Sequence, residues 1–359
     1  MCNTYGGIGM KKSKGEISFI EQQVLNEGFA KLMEQNGIKK INFVSIGNSI
    51  SSGYRWVNKT QPLLFRNTTI GEILKNHNIK LNRYHFARTE NNSEQHVYNW
   101  LINNTSLSEI NRYNVNDSGT VKFLTEDEVE RFYPMQDVGI QDVMFDKSDN
   151  LSNIFVYNGI TGSFLDVFSR NGNYSPFSAI KNDLYKLDAI LAFIQNANRT
   201  SDTNIQIYLC GVPKYFGMEM SLFNEKLKNI ARNYANVVYV DSVFVLPIFY
   251  ENSKLCIDIH PTDIQYQNLN NNIVESITNN YELVSLKIEI DRFLYNQNIK
   301  NELSDKDKYI AEEYLREVLS KSSCDNPYTR ENICSYLLRR YPHEYYYIDR
   351  KSIKRILKK

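Results

Sequence analysis

The sequence predicts an α/β fold, a parallel β-sheet sandwiched between two layers of helices. Two observations carry this. Five short β-rich runs recur along the chain, and helix-period segments separate most of them. With 359 residues and 42% apolar side chains the chain is long enough to bury a sizeable core, and its composition is not that of a disordered protein.

Taken in order, Phe19 to Gln35 reads as a helix, with Phe19, Ile20, Val24, Leu25, Phe29, Leu32 and Met33 near helical spacing and Gly37 closing it. The first strand follows at Lys40 to Ile46. Thr69 to His77 is helical, Ile79 to Phe86 is the second strand, and Ser93 to Asn103 is again a helix. The third strand is Asn153 to Tyr157. A long helix over Ala179 to Asn196 places Leu184, Leu187, Ile190, Leu191 and Ile194 on one face. Asn204 to Cys210 and Asn236 to Val240 are the fourth and fifth strands, followed by helices at Met220 to Tyr234 and Asp263 to Asn279. Five strands in this arrangement suit a three-layer flavodoxin-like sandwich with strand order 2-1-3-4-5.

Two regions break the alternation. Residues 104–150 are polar and charged and read as an insertion, with a short helix at Glu126 to Phe132. From about Tyr281 helices continue without a returning strand. The expected organisation is therefore a helical lead-in over 1–38, a sheet domain over 39–280 and a C-terminal helical subdomain over 281–359. That subdomain leaves room for a protein partner.

Several function classes are disfavoured. A net charge of +1 gives no global field for nucleic acid, and the basic stretch Arg350 to Lys359 reads as a solvated helix end. No run reaches the length of a membrane span. The N-terminal MCNTYGGIGMKKSKGEISF lacks an apolar core after its lysines, so it does not read as a secretory signal, and Cys2 follows no leader that would mark a lipid anchor. Five scattered cysteines, Cys2, Cys210, Cys256, Cys324 and Cys334, form no paired motif. They suit a reducing, cytoplasmic setting, with Cys210 and Cys256 as small buried hydrophobes.

In open parallel sheets the working residues lie at the carboxyl ends of the strands. VSIGNSISSGY, Val44 to Tyr54, meets that test: an apolar strand stops at Gly47, and Ser49 follows directly. Glycine permits a tight turn there. A serine hydroxyl needs a base. Of the five histidines, His85 falls within a strand pattern and His96 on a helix face, and His77 and His343 have ordinary contexts. His260 lies in CIDIHPT, Cys256 to Thr262, before a helix that Thr262 caps, with Asp258 near enough to orient the imidazole.

With these residues in view, the chain resembles the SGNH superfamily of GDSL-type serine esterases and lipases over roughly Lys39 to Asn280. Gly47-Asn48-Ser49-Ile50 stands where the family has GDSL or GDSI, with Asn48 replacing the usual Asp. The resemblance implies that Ser49 is the nucleophile and that its backbone N–H serves the oxyanion hole. A second backbone donor is expected after the second strand. No glycine is present there, and Asn91, Asn92 and Ser93 are the candidates, with Asn92 preferred. Asn158, after the third strand, matches the side-chain donor. His260-Pro261-Thr262 matches the fourth block, with Tyr266 fitting its continuation. The Asp is displaced: Ile257 stands three residues before the histidine, and Asp258 two. Either Asp258 completes a triad or a backbone carbonyl orients His260 in a Ser–His dyad. The implied activity is hydrolysis of a small or carbohydrate-linked acyl ester through an acyl-enzyme, with no cofactor and no metal. Tyr54, Arg55 and Trp56 line a substrate pocket or pack in the core. The departures at Asn48 and Asp258, and the missing second-block glycine, keep open a catalytically weak module that binds carbohydrate or protein. An O-acyltransferase would use the same chemistry with another acceptor.

Overall fold

The computed structural model describes residues 19–51, 69–88, 93–110, 137–158, 176–212, 221–242, 248–251, 254–257 and 260–299. Within these, the β-rich runs pair as one all-parallel sheet of β1 (Lys40–Gly47), β2 (Lys80–Ala87), β3 (Leu151–Asn158), β4 (Ile205–Cys210) and β5 (Val237–Val240). Its order is β2-β1-β3-β4-β5, as the strand count predicts. Central strands covered on both faces must be apolar nearly throughout, and every residue of β4 and seven of the eight in β1 are buried.

Helices cover both faces. On one lie α1 (Phe19–Gln35), α2 (Thr69–Asn76) and α7 (Asp263–Ile299). The Phe29 ring of α1 stacks on Phe43 of β1 at a centroid distance of 6.0 Å, and Gln206 of β4 donates to the Tyr281 carbonyl of α7. The opposite face carries α3 (Ser93–Asn103), α5 (Pro176–Thr200) and α6 (Ser221–Ala231), where Lys228 lies 5.2 Å over the Tyr239 ring of β5. This is the expected three-layer α/β sandwich.

The helix ends follow their sequence signals. Gly37, at φ +70°, closes α1 in a Schellman motif: its N–H donates to the Glu34 carbonyl and the Ile38 N–H to that of Met33. Asn78, at φ 57°, ends α2 in the same way, through Asn78 to Lys75 and Ile79 to Leu74.

Three features differ from the sequence expectation. First, α7 is one helix of 37 residues, and it runs through the expected boundary at 280/281. Tyr281, Val284 and Ile288 beyond that boundary are buried, and Arg199 of α5 grips Asp291 with two hydrogen bonds of 2.7 and 2.8 Å. Second, the flanks of the supposed insertion belong to the core. Leu107 and Ile110 are buried, as are Ile140, Val143 and Met144 of the short α4 (Ile140–Met144), and Ser106 bridges Gly139. Third, Lys254–Ile257 forms a strand outside the five expected ones, β7. It pairs antiparallel with β6 (Ile248–Glu251) in a hairpin that leads the chain toward His260. The Glu126–Phe132 helix, the Tyr54–Trp56 segment and residues 300–359 lie outside the described residues. Among the described residues no helix is long and apolar enough to cross a membrane.

Candidate active site

β1 ends at Gly47, and its register with β3 fixes what happens next. Gly47 stands opposite Asn158, the last residue of β3. Its φ of +143° is rarely open to L side chains, and a Cβ there would lie 1.7 Å from the Asn158 carbonyl oxygen. Only glycine allows the two strand ends to meet so closely. The chain then turns. Asn48 Oδ1 accepts the Ile50 N–H at 3.0 Å, an Asx turn that holds Ser49 at its apex. An amide oxygen supplies this acceptor as a carboxylate would, so the Asn at position 48 keeps the turn.

Ser49 Oγ lies 3.0 Å from His260 Nε2, across 211 residues of sequence. The structure thus brings together the two residues singled out as nucleophile and base. Ser49 is half-buried, whereas His260 is only 4% exposed. For Nε2 to accept the serine proton, the neutral imidazole carries its hydrogen on Nδ1.

Local sequence aims His260. It stands two residues before Thr262, the N-cap of α7. Thr262 Oγ1 accepts the Gln265 N–H at 3.3 Å, and Gln265 Oε1 accepts the Thr262 N–H at 2.8 Å. This is a capping box. Pro261 and Tyr266 occupy the two hydrophobic-staple positions and both are buried. The H-P-T-x-x-Q-Y pattern is thus a rigid helix start, and Gln265, which the sequence reading passed over, completes it.

Asn158 is the third member. It is 3% exposed, and its Nδ2 has no hydrogen-bond partner among the described residues. A buried donor without a partner costs about 1–3 kcal/mol, and such a group next to a nucleophile turn suits a donor held for a reaction intermediate. Its backbone carbonyl accepts from Asn48 N at 3.3 Å and from Ser51 Oγ at 2.6 Å. Asn92 and Asp258, the expected second oxyanion donor and orienting acid, lie outside the described residues, as does Asn91. Ser93 begins α3.

The other described histidines are engaged elsewhere. His77 bridges Glu34 at 2.8 Å and Glu27 at 2.9 Å, His85 is buried in β2, and the His96 ring lies 6.1 Å from Trp100. Cys210 is a buried free thiol pushed up to about 12 by burial, which makes it an inert core residue. Among the described residues, no group of three or more His, Cys, Asp or Glu gathers in a metal-binding arrangement.

No model of a known protein family matches the sequence, and a search of curated proteins finds no relative.

Proposed function

We propose that the protein is a serine-dependent ester hydrolase of SGNH/GDSL type, acting on a small or carbohydrate-linked acyl ester. The observation that carries this reading is the 3.0 Å approach of His260 Nε2 to Ser49 Oγ at the carboxyl edge of the sheet. His260 removes the hydroxyl proton as Ser49 Oγ attacks the acyl carbonyl. The carbonyl π electrons move onto oxygen, and the Asn158 Nδ2 donor, with the backbone N–H of Ser49, stabilises that oxyanion. Collapse breaks the ester C–O bond, and the leaving alkoxide takes the proton from the His260 imidazolium. A water, deprotonated by His260, attacks the acyl-enzyme. The second tetrahedral intermediate collapses to free acid, and Ser49 regains its proton.

A fluorophosphonate probe tests this reading. The native protein should be labelled, and Ser49→Ala and His260→Ala should not. Hydrolysis of p-nitrophenyl acetate should fall in parallel, by at least about 10³-fold. An unlabelled native protein would refute the serine-esterase reading. A panel of acetylated sugars then narrows the substrate. Transfer of the acyl group to a sugar hydroxyl in preference to water would mark an acyltransferase.

A further inference from the structure

The turn holds another serine whose hydroxyl the reaction does not consume. Ser51 is fully buried. Its Oγ lies 2.6 Å from the Asn158 carbonyl oxygen and 3.1 Å from that of Ile46. A hydroxyl has one proton to donate, and the shorter distance, at the strong end of the O–H···O range, assigns it chiefly to Asn158. The geometry points to Ser51 as a positioning residue for the Asn158 donor, an inference that rests on the esterase reading above.

Asn158 ends β3, where the sheet still pairs it with Gly47 of β1 but no longer with β4. The pairing of β3 with β4 ends one residue earlier, at Tyr157 opposite Leu209. Among the described residues, the Asn158 carbonyl accepts from the nucleophile turn: from Asn48 N at a long 3.3 Å and from Ser51 Oγ at 2.6 Å. Gly47 makes room for this contact, since a Cβ there would also lie 2.8 Å from Ser51 Oγ. The segment that carries Ser49 is therefore pinned, two residues further on, to the main chain of the residue that supplies the oxyanion donor. One buried hydroxyl thus adds its bond to that of the Asn48 N–H in holding nucleophile and donor in register. Small misplacements of a preorganised donor are costly, because its value depends on meeting the oxyanion at hydrogen-bond distance.

A double-mutant cycle on the full-length chain separates this role from a merely structural one. Steady-state hydrolysis of p-nitrophenyl acetate and the rate of fluorophosphonate labelling are measured for the native protein, Ser51→Ala, Asn158→Ala and the double variant. Ser51→Ala should lower kcat by about 10-fold with KM unchanged, and Asn158→Ala should lower it by about 10²- to 10³-fold. The double variant should match Asn158→Ala alone, because Ser51 acts only through Asn158. Ser51→Cys, similar in size and a weaker donor, should fall between native and Ser51→Ala, and it replaces the alanine variant in the cycle if that variant does not fold. A Ser51 effect that persists undiminished when Asn158 is already alanine would overturn the positioning role. So would native kcat in Ser51→Ala while labelling remains Ser49-dependent. Loss of labelling in the native protein itself would instead bring down the esterase reading and this inference with it.

Discussion

A Cβ on Gly47 would overlap the Asn158 carbonyl oxygen at 1.7 Å, and the +143° φ there adds backbone strain for any L side chain. Gly47→Ala should therefore cost about 3 kcal/mol or more, read as a fall in the denaturation midpoint. Hydrolytic activity should be lost with it, since the same contact sets the Ser49 turn. Asn48 behaves differently. Its only requirement in the Asx turn is an acceptor for the Ile50 N–H, so Asn48→Asp should keep the turn and retain activity within about 10-fold, whereas Asn48→Ala leaves that amide unmatched at a cost of about 1–3 kcal/mol. Purified variants assayed on p-nitrophenyl acetate and by urea unfolding distinguish these outcomes.

At the scale of the element, α1 buries part of its apolar set, with Phe29 and Met33 in the core, and leaves the rest to solvent. Ile20 and Val24 are 71% and 68% exposed, although both sit near the helical apolar spacing. The buried face is instead Gln22, Asn26, Phe29, Ala30 and Met33. Gln22 donates to Asn271 Oδ1 of α7 at 3.2 Å, and Asn26 to Thr69 Oγ1 of α2 at 3.1 Å. These polar pairs join the packing of Phe29, Ala30 and Met33 in fixing the rotation of the helix. Val24→Lys should accordingly change stability by no more than about 0.5 kcal/mol, whereas Phe29→Ala should cost about 3–5 kcal/mol. Chemical denaturation of the two variants checks the facing directly. Strand register has a similar polar device. Asn82 donates to Asn42 and Asn42 to Asn153, each at 2.9 Å, a side-chain ladder across β2, β1 and β3 that a one-residue slip would break.

At the scale of the molecule, α7 ties the layers together. It starts beside the site at His260 and extends about 55 Å at the usual helical rise. Its far part closes on α5 through Arg199, Gln195 and the almost fully buried Asp291. Arg292 adds contacts to Asp202 and the Thr203 carbonyl. A chain truncated after Asn280 should thus fail to give a cooperative thermal transition, and Arg199→Ala, which takes the guanidinium charge and its two hydrogen bonds from the buried Asp291 carboxylate, should cost about 3–5 kcal/mol.

Two surface clamps contribute opposite slopes to the pH dependence of stability. Burial alone would raise the Asp146 carboxyl, but hydrogen bonds from Lys40 and from the Ser148 hydroxyl and amide, together with the Lys40 charge, hold it at about 2. Its contribution is present above the unfolded pKa of about 4 and is lost as pH falls toward 2. His77 is raised by its bonds to Glu34 and Glu27, against a smaller opposing effect of burial. Its contribution is complete below about pH 6.5 and is lost as pH rises through the folded value. Unfolding midpoints across pH should show both declines. Asp146→Asn should flatten the acid one, and His77→Ala the alkaline one.

The sequence by itself determined the five parallel strands, their order and the main helices, and it marked Gly47, Ser49, Asn158 and His260. Strand and helix periods are local properties. Gly47, Ser49, Asn158 and His260 each sit where a strand end or a helix cap makes a local signal. What tertiary structure alone decided was everything that depends on a partner distant in the chain. The burial of Gln22 and Asn26 of α1 against polar mates on α7 and α2, with Ile20 and Val24 left exposed, has no signal in the local apolar spacing. The docking of α7 past residue 280, where Tyr281, Val284 and Ile288 are buried and Asp291 meets Arg199 across 92 residues of sequence, has no local signal. The 3.0 Å meeting of Ser49 with His260, and the grip of Ser51 on Asn158, needed β1, β3 and the start of α7 to converge at one sheet edge. Local propensity specifies which segments become strands and helices, but only close packing brings side chains 211 residues apart into hydrogen-bond contact.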